Sequence, residues 1–435
     1  MAAQLILGLA ILVTLHELGH FLAARAFGIR VEKFYLFFDA WGFKFFSFRR
    51  GETEYGVGWL PLGGYVKIAG MIDESMDKEA MKLPPQPWEF RSKPAWQRLV
   101  VMTAGVIMNV ILGIAIYTMV LMKYDQHYLA NSSVTDGIYA FELGEKVGLK
   151  QGDHVVAING KSFERFDDLL SSRVYFGSRL TVSRNGQLMD IQIPNDFYKE
   201  TIKEGKGNFI GPFQANQKVD SIFPGSPANA AGLQKGDRIY SVNGVHTFSI
   251  EEFRNIIHSN NGRPIRLQIL RGNDSLIVQP IANDSGLIGI LYHPDYGNYP
   301  VTDYSVLSAV RFGTSDAMEA ITSNIKGLRQ IFTGKEKASE SLQGPIGIAT
   351  IYGGIWDWHR FWRITGLLSM VLAFMNILPI PALDGGHVLF LTVEAVTRKK
   401  LSDKFLERAQ IAGMIILLTL MAYSIGNDIW KHFIN

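Results

Sequence analysis

Apolar stretches too long and too free of charge for water limit this chain more than any other feature. Residues 99–122 hold no charged side chain and are long enough to cross a hydrocarbon core. Three further stretches read the same way. Residues 2–27 have an uncharged opening half; about 364–396 is broken by a polar, proline-rich segment; about 411–425 is short but has polar flanks. Core helices of a water-soluble protein are the competing reading, but stretches of this length are rare in soluble cores. The expected fold class is a polytopic α-helical membrane protein with four transmembrane helices. The first stretch is not expected to be a removable signal peptide. No basic residue precedes it, no small-residue cleavage site closes it, and its second half carries His16, Glu17 and His20.

Charge orients the spans. The link after the first span carries Arg30, Lys33, Lys44, Arg49, Arg50 and further basic residues, and the link before the last carries Arg398, Lys399, Lys400, Lys404 and Arg408. Basic links favour the cytoplasm, so both termini and residues 123 to about 360 are expected outside it. The net charge of +3, from 43 Lys and Arg against 40 Asp and Glu, gives no reason to expect nucleic-acid binding. The chain has no cysteine, which excludes disulfides, thiolate catalysis and cysteine metal clusters. A metal here must be held by His, Asp or Glu.

The outer segment repeats. Gly148-Leu149-Lys150-Gln151-Gly152-Asp153 recurs as Gly232-Leu233-Gln234-Lys235-Gly236-Asp237, and each copy runs on to an Asn-Gly pair, Asn159-Gly160 and Asn243-Gly244. A fixed spacing with shared turn chemistry points to a duplicated β-rich module, since Asn-Gly takes the positive φ angles of a two-residue hairpin turn. A helical pattern follows in each copy, at 166–172 and 250–258. The pattern resembles the PDZ domain in its permuted bacterial form, and Pro224-Gly225-Ser226-Pro227-Ala228 strengthens the match for the second copy. The first copy has Phe141-Glu142-Leu143-Gly144 there and departs from the pattern. PDZ domains capture extended peptides at a sheet edge; a structural module without a peptide ligand is the alternative.

His16-Glu17-Leu18-Gly19-His20 is an HExxH string on a predicted helix. Residues four apart share a helical face, so both imidazoles can reach one metal, and Glu17 stands beside them as a general base toward water. Ionisable groups inside a bilayer are costly and by default functional. A polar helix–helix contact is the plainer alternative. A catalytic zinc needs a third protein ligand and an open position. Asp384 is the candidate, in Asn376-Ile377-Leu378-Pro379-Ile380-Pro381-Ala382-Leu383-Asp384-Gly385-Gly386-His387. Irregular backbone at membrane depth is tolerated only where protein or water surrounds it. A helix-capping role for Asp384 and a ligand role for His387 are the competing assignments.

HExxH in the first span with Asn-x-x-Pro-x-Pro-x-Leu-Asp-Gly in a later one resembles the site-2 protease family of intramembrane zinc metalloproteases. Two PDZ-like copies between spans make the chain similar to its bacterial RseP type. Leu60-Pro61-Leu62-Gly63-Gly64-Tyr65-Val66-Lys67 and Gly344-Pro345-Ile346-Gly347-Ile348 also look like family segments. One departure is Gly105-Val106-Ile107-Met108-Asn109, where the family has a proline after the glycine; altered helix packing without loss of chemistry is expected.

The resemblance implies Zn²⁺ on His16, His20 and Asp384, Glu17 as base, and Asn376 as a substrate-binding group. It also implies a membrane-dipping β element to which an unwound substrate adds, with Gly63, Gly64 and Tyr65 as its expected substrate contacts. Residues 43–48, 54–60 and 64–68 are the candidate strands. The expected plan is a first transmembrane helix at 1–28, a cytoplasmic link with the β element at 29–98, a second helix at 99–122, PDZ-like domains at 123–208 and 209–300, an amphipathic helix and linker at 301–360, a third region at 361–397 and a fourth helix at 398–435. Residues 304–332 carry an apolar stripe including Val306, Val310, Met318, Ile321, Ile325, Leu328 and Phe332, suited to the outer membrane surface or to the neighbouring module. The implied partners are the lipid bilayer, single-span membrane proteins of the anti-sigma-factor type or remnant signal peptides, and a peptide ligand for the PDZ pair; the implied location is the bacterial inner membrane. An inactive PDZ scaffold and a metal transporter are the competing functions. Neither explains a glutamate beside two histidines together with a broken, proline-rich span.

Overall fold

The computed structural model describes residues 1–61, 63–71, 84–204, 208–212, 216–247, 250–283, 285–295, 299–337, 339 and 343–431. Leu62 lies outside them. The chain forms two compact units, Met1–Asp125 with Ser305–Asn435, and Gln126–Tyr304.

The first unit combines helices with a four-stranded sheet. Its helices are α1 (Ala2–Ala26), α2 (Ala95–Val120), α3 (Val306–Phe332), α4 (Pro345–Tyr352), α5 (Trp358–Ile377), α6 (Asp384–Thr397) and α7 (Asp403–Ile429). Among the described residues, three helices are long and apolar enough to cross a membrane, at Ala2–Ala26, Ala95–Asp125 and Lys404–Ile429. The expected third region, 361–397, is not among them. Region 361–397 is divided at its proline-rich break into two helices: α5 opens on His359, Arg360 and Arg363, and α6 has 14 residues. At 1.5 Å per residue α6 is only about 21 Å long, short of the roughly 30 Å of hydrocarbon. The last helix is longer than expected, because Ser402 caps it by accepting from Phe405 N–H and the helix continues to Ile429.

Helix α2 is the centre of this unit and packs on α1, α3, α5 and α6. Helix α3 does so through Ala309, Phe312, Gly313, Ala317 and Ala320, which are buried, while Val306, Val310, Met318, Ile325 and Phe332 of the expected apolar stripe are exposed. Small side chains let two backbones approach, so the small face takes the helix contact and the large apolar residues turn outward.

Helix α1 ends at a left-handed Gly28 (φ 65°), with Ile29 N–H donating to Ala24 C=O. The chain turns directly into a four-stranded sheet of β1 (Val31–Leu36), β2 (Lys44–Arg50), β3 (Thr53–Gly58) and β4 (Tyr65–Ile68), in the order β2-β3-β1-β4. Strand β1 had not been expected; it inserts between β3, to which it is parallel, and β4, to which it is antiparallel. Strand β4 is therefore an edge.

The second unit holds two hydrophobic cores, one from Leu129 to Ile210 and one from Val219 to Ile288. Strands β5 (His127–Leu129), β6 (Ile138–Ala140), β7 (His154–Ile158), β8 (Arg179–Arg184), β9 (Gln187–Gln192) and β10 (Ile210–Pro212) serve the first. The second has β11 (Asn216–Ile222), β12 (Arg238–Val242), β13 (Val245–His246), β14 (Leu267–Arg271), β15 (Asp274–Val278) and β16 (Ile290–Asp295). Strand β17 (Val301–Asp303) returns to pair with β5. The sequence repeat is also a repeat of contacts. Asp153 accepts two hydrogen bonds from Arg184 at 2.7 Å, and Asp237 accepts two from Arg271 at 2.8 Å. Both Asn-Gly pairs take positive φ. The helical patterns differ between copies: 166–172 yields a 3-10 turn, Phe166–Leu170, whereas the second gives a helix, Ile250–Ser259.

Candidate metal centre and catalytic cavity

The fold brings His16, His20 and Asp384 together from opposite ends of the chain. His16 Nε2 and His20 Nε2 lie 3.2 and 3.3 Å from Asp384 Oδ2, and 3.3 Å from each other. Four-residue spacing on α1 puts the imidazoles on one face; the start of α6 delivers the carboxylate. The approach depends on missing side chains. A Cβ on Gly19 would stand 2.4 Å from Ala104 C=O, and one on Gly105 would stand 2.3 Å from His20 Nε2, so α1 and α2 meet where both are bare.

The second nitrogen of each ring is engaged. His20 Nδ1 lies 2.8 Å from Val101 C=O, an acceptor only, so Nδ1 carries the proton and Nε2 keeps its lone pair. His16 Nδ1 lies 3.2 Å from the carboxamide of Asn109, which is fully buried and whose oxygen is otherwise without a partner. With that oxygen turned to the ring, His16 also donates from Nδ1 and offers Nε2.

This donor set fits a zinc ion. Tetrahedral zinc with ligands at about 2.0–2.1 Å requires donor atoms about 3.3 Å apart, close to the spacing of the three atoms here. Asp384 Oδ2 is buried and lacks a hydrogen-bond partner, as an atom reserved for a cation would. Two imidazoles and a carboxylate are a donor set suited to catalytic zinc, with one position left open. The three side chains line a cavity of about 470 Å³.

Glu17 lines the same cavity, close to the Val66 backbone N–H. The free edge of β4 thus looks onto Glu17. Gly64 lets the sheet come this close: a Cβ there would meet Val13 of α1 at 2.7 Å. Gly63 packs beside Phe38, and Tyr65 lines the cavity and donates to Asp39 Oδ1 at 2.8 Å. Partial burial and that bond to Asp39 push the Tyr65 phenol well above its ordinary range, so it stays protonated and holds β4 in place. Asn376, in the last turn of α5, brings Nδ2 to 3.3 Å from His16 Nε2. His387 lines the cavity but stands outside the three-donor cluster.

Sequence reasoning missed the Val101 carbonyl, the contact of Asn109 with His16, and Gln410, which lines the cavity from α7. A backbone acceptor leaves no signature in the sequence, and Gln410 follows the charged pair Glu407-Arg408; Asn109 alone stands isolated among the apolar residues of its helix. That isolation was the one available signal.

Two histidines and an aspartate that could hold one metal ion, set among membrane-length helices with a glutamate close by, are what a membrane-embedded metalloprotease requires. The chain belongs to peptidase family M50, whose sequence profile matches residues 4–420. A Xylella fastidiosa (strain Temecula1) protein whose name proposes a zinc metalloprotease is 30% identical over 98% of this chain and 97% of its own length. A Yersinia pestis protein named protease RseP is 29% identical over 98% of this chain and 97% of its own. The regulator of sigma-E protease RseP of Escherichia coli (strain K12) is 28% identical over the same 98% and 97%. The resemblance to site-2 proteases therefore holds along nearly the whole chain, and with it zinc-dependent proteolysis at the membrane.

Proposed function

We propose that His16, His20 and Asp384 hold the zinc ion and that Glu17 is the base of an endopeptidase that cuts within transmembrane segments. The observation that carries this assignment is the meeting of three donor atoms at 3.2–3.3 Å beside the Glu17 carboxylate. Zinc at these atoms would supply Lewis acidity toward the scissile carbonyl and acidify an attacking water. Glu17 takes the proton from that water and returns it to the leaving amine. Asn376, at the rim of the same site, donates to a substrate carbonyl. The substrate, unwound from its helix, adds as a strand along the free edge of β4 beside Gly63, Gly64 and Tyr65, which places an extended backbone next to Glu17.

In this reading α5 and α6 together make a fourth, broken crossing. The termini and residues 123–300 face away from the cytoplasm of a bacterial inner membrane, consistent with the basic links at 29–98 and 398–408. The two repeats act as PDZ-like modules that admit single-span proteins already trimmed outside, of the anti-sigma-factor type, or remnant signal peptides. The sigma-E regulator among the relatives supports that substrate class.

The test is reconstitution of the full chain with a single-span substrate. Glu17→Gln should retain zinc and lose cleavage by about 10²–10⁴-fold. Unchanged cleavage would remove Glu17 from this role.

A further inference from the structure

The bend that carries Asp384 is held by a different helix. Residues 379–383 contain two prolines, Pro379 and Pro381, which have no N–H to place. Ile380 N–H donates to Leu378 C=O at 2.7 Å and Leu383 N–H to Ile380 C=O at 3.0 Å, both within the bend. The remaining donor, Ala382 N–H, goes to Gln410 Oε1 on α7, at 3.2 Å. Ala382 is also left-handed, with φ 79°, a conformation that costs an L-residue energy and persists only where its surroundings impose it. One helical turn after Gln410, Gly413 brings the α7 backbone against the same bend: a Cβ there would stand 1.7 Å from Pro381 C=O. Gln410 itself is buried.

We infer that Gln410 is a positioning residue for the metal site: by accepting Ala382 N–H it holds the left-handed bend two residues before Asp384 and so sets the carboxylate against both histidines. Beyond this contact α7 presents mainly apolar surface, with Ile415, Ile416 and Leu418 exposed. The seat of one ligand therefore depends on a helix whose opposite side has few protein contacts. The inference rests on Asp384 being a zinc ligand, as proposed above.

The test is the zinc dissociation constant of the full chain in detergent, measured by competition with a chromogenic chelator. Gln410→Leu keeps the volume and removes the acceptor, and should weaken zinc about 10–100-fold, the usual effect of losing a group that orients a ligand. Cleavage lost at limiting zinc should return when zinc is raised. Glycine takes a positive φ without strain, so adding Ala382→Gly to Gln410→Leu should recover about fivefold in zinc affinity relative to Gln410→Leu alone. A generally damaged fold would show no such recovery. If the leucine variant does not accumulate, Gln410→Ala with and without Ala382→Gly gives the same comparison. Unchanged zinc affinity in the Gln410 variants, or a loss that Ala382→Gly does not relieve, overturns the inference. Asp384→Asn separates the two layers. If it leaves zinc affinity unchanged, the ligand assignment fails; if it abolishes binding while Gln410→Leu does not weaken it, only the positioning role fails.

Discussion

His16 and His20 present the same ring nitrogen to one point because each has its other nitrogen occupied. For His20 the partner is a backbone carbonyl, which substitution cannot remove; for His16 it is Asn109, which substitution can. Asn109→Leu should therefore free the His16 ring to rotate and to exchange tautomers. The expected outcome is about 10–100-fold weaker zinc binding with helix content retained, measured by chelator competition beside circular dichroism. An unchanged affinity would mean that packing alone orients the ring. The three candidate ligands could be picked out in the sequence because ionisable groups inside apolar helices need a reason to be there, and HExxH spacing supplies one. Their supports were not, because a carboxamide that holds a ring and one that faces lipid are the same letter.

Among elements, the contact between α1 and α2 determines whether the histidines can meet Asp384 at all. Gly105 lies directly under the two rings, so Gly105→Ala places a methyl group 2.3 Å from His20 Nε2 and 2.7 Å from His16 Cε1. The imidazoles or the helix must move, which should cost about 1–3 kcal/mol of stability and lower the bound zinc below one per chain. Thermal unfolding and metal analysis check both parts. The proline absent after Gly105 is not needed for this contact, which depends on the missing side chain. Element types followed from apolar length and alternation, but two features did not. Strand β1 was overlooked because Gly28 turns the chain straight out of α1, and its partners β3 and β4 come later in sequence. The contact face of α3 is its small-residue side, which a hydrophobicity pattern ranks below its large apolar side. The break in region 361–397, by contrast, was legible, because Pro379 and Pro381 remove helix donors just where α6 must start afresh at Asp384.

Across the whole molecule, the site and the repeats occupy separate bodies. His16, Glu17, His20, Asn376, Asp384 and Gln410 all lie in the unit made of Met1–Asp125 and Ser305–Asn435, while the duplicated modules lie in Gln126–Tyr304. The inserted unit leaves the chain where it begins: β17 pairs with β5 through Val301 and Leu129, and Tyr304 N–H donates to Gln126 C=O at 2.8 Å. A unit with neighbouring ends and its own two cores can be removed without pulling the flanking helices apart. Replacing residues 126–304 by a short Gly/Ser linker should therefore leave zinc binding intact, along with cleavage of a trimmed single-span substrate that still depends on Glu17. If the modules sort substrates by their outer bulk, the shortened enzyme should also cut the untrimmed form, and the rate ratio of trimmed to untrimmed substrate should fall toward one. Measuring that ratio in reconstituted vesicles for both enzymes decides the matter. A shortened enzyme that keeps zinc and still rejects the untrimmed substrate would place the selection inside the membrane unit, at the free edge of β4 beside Glu17.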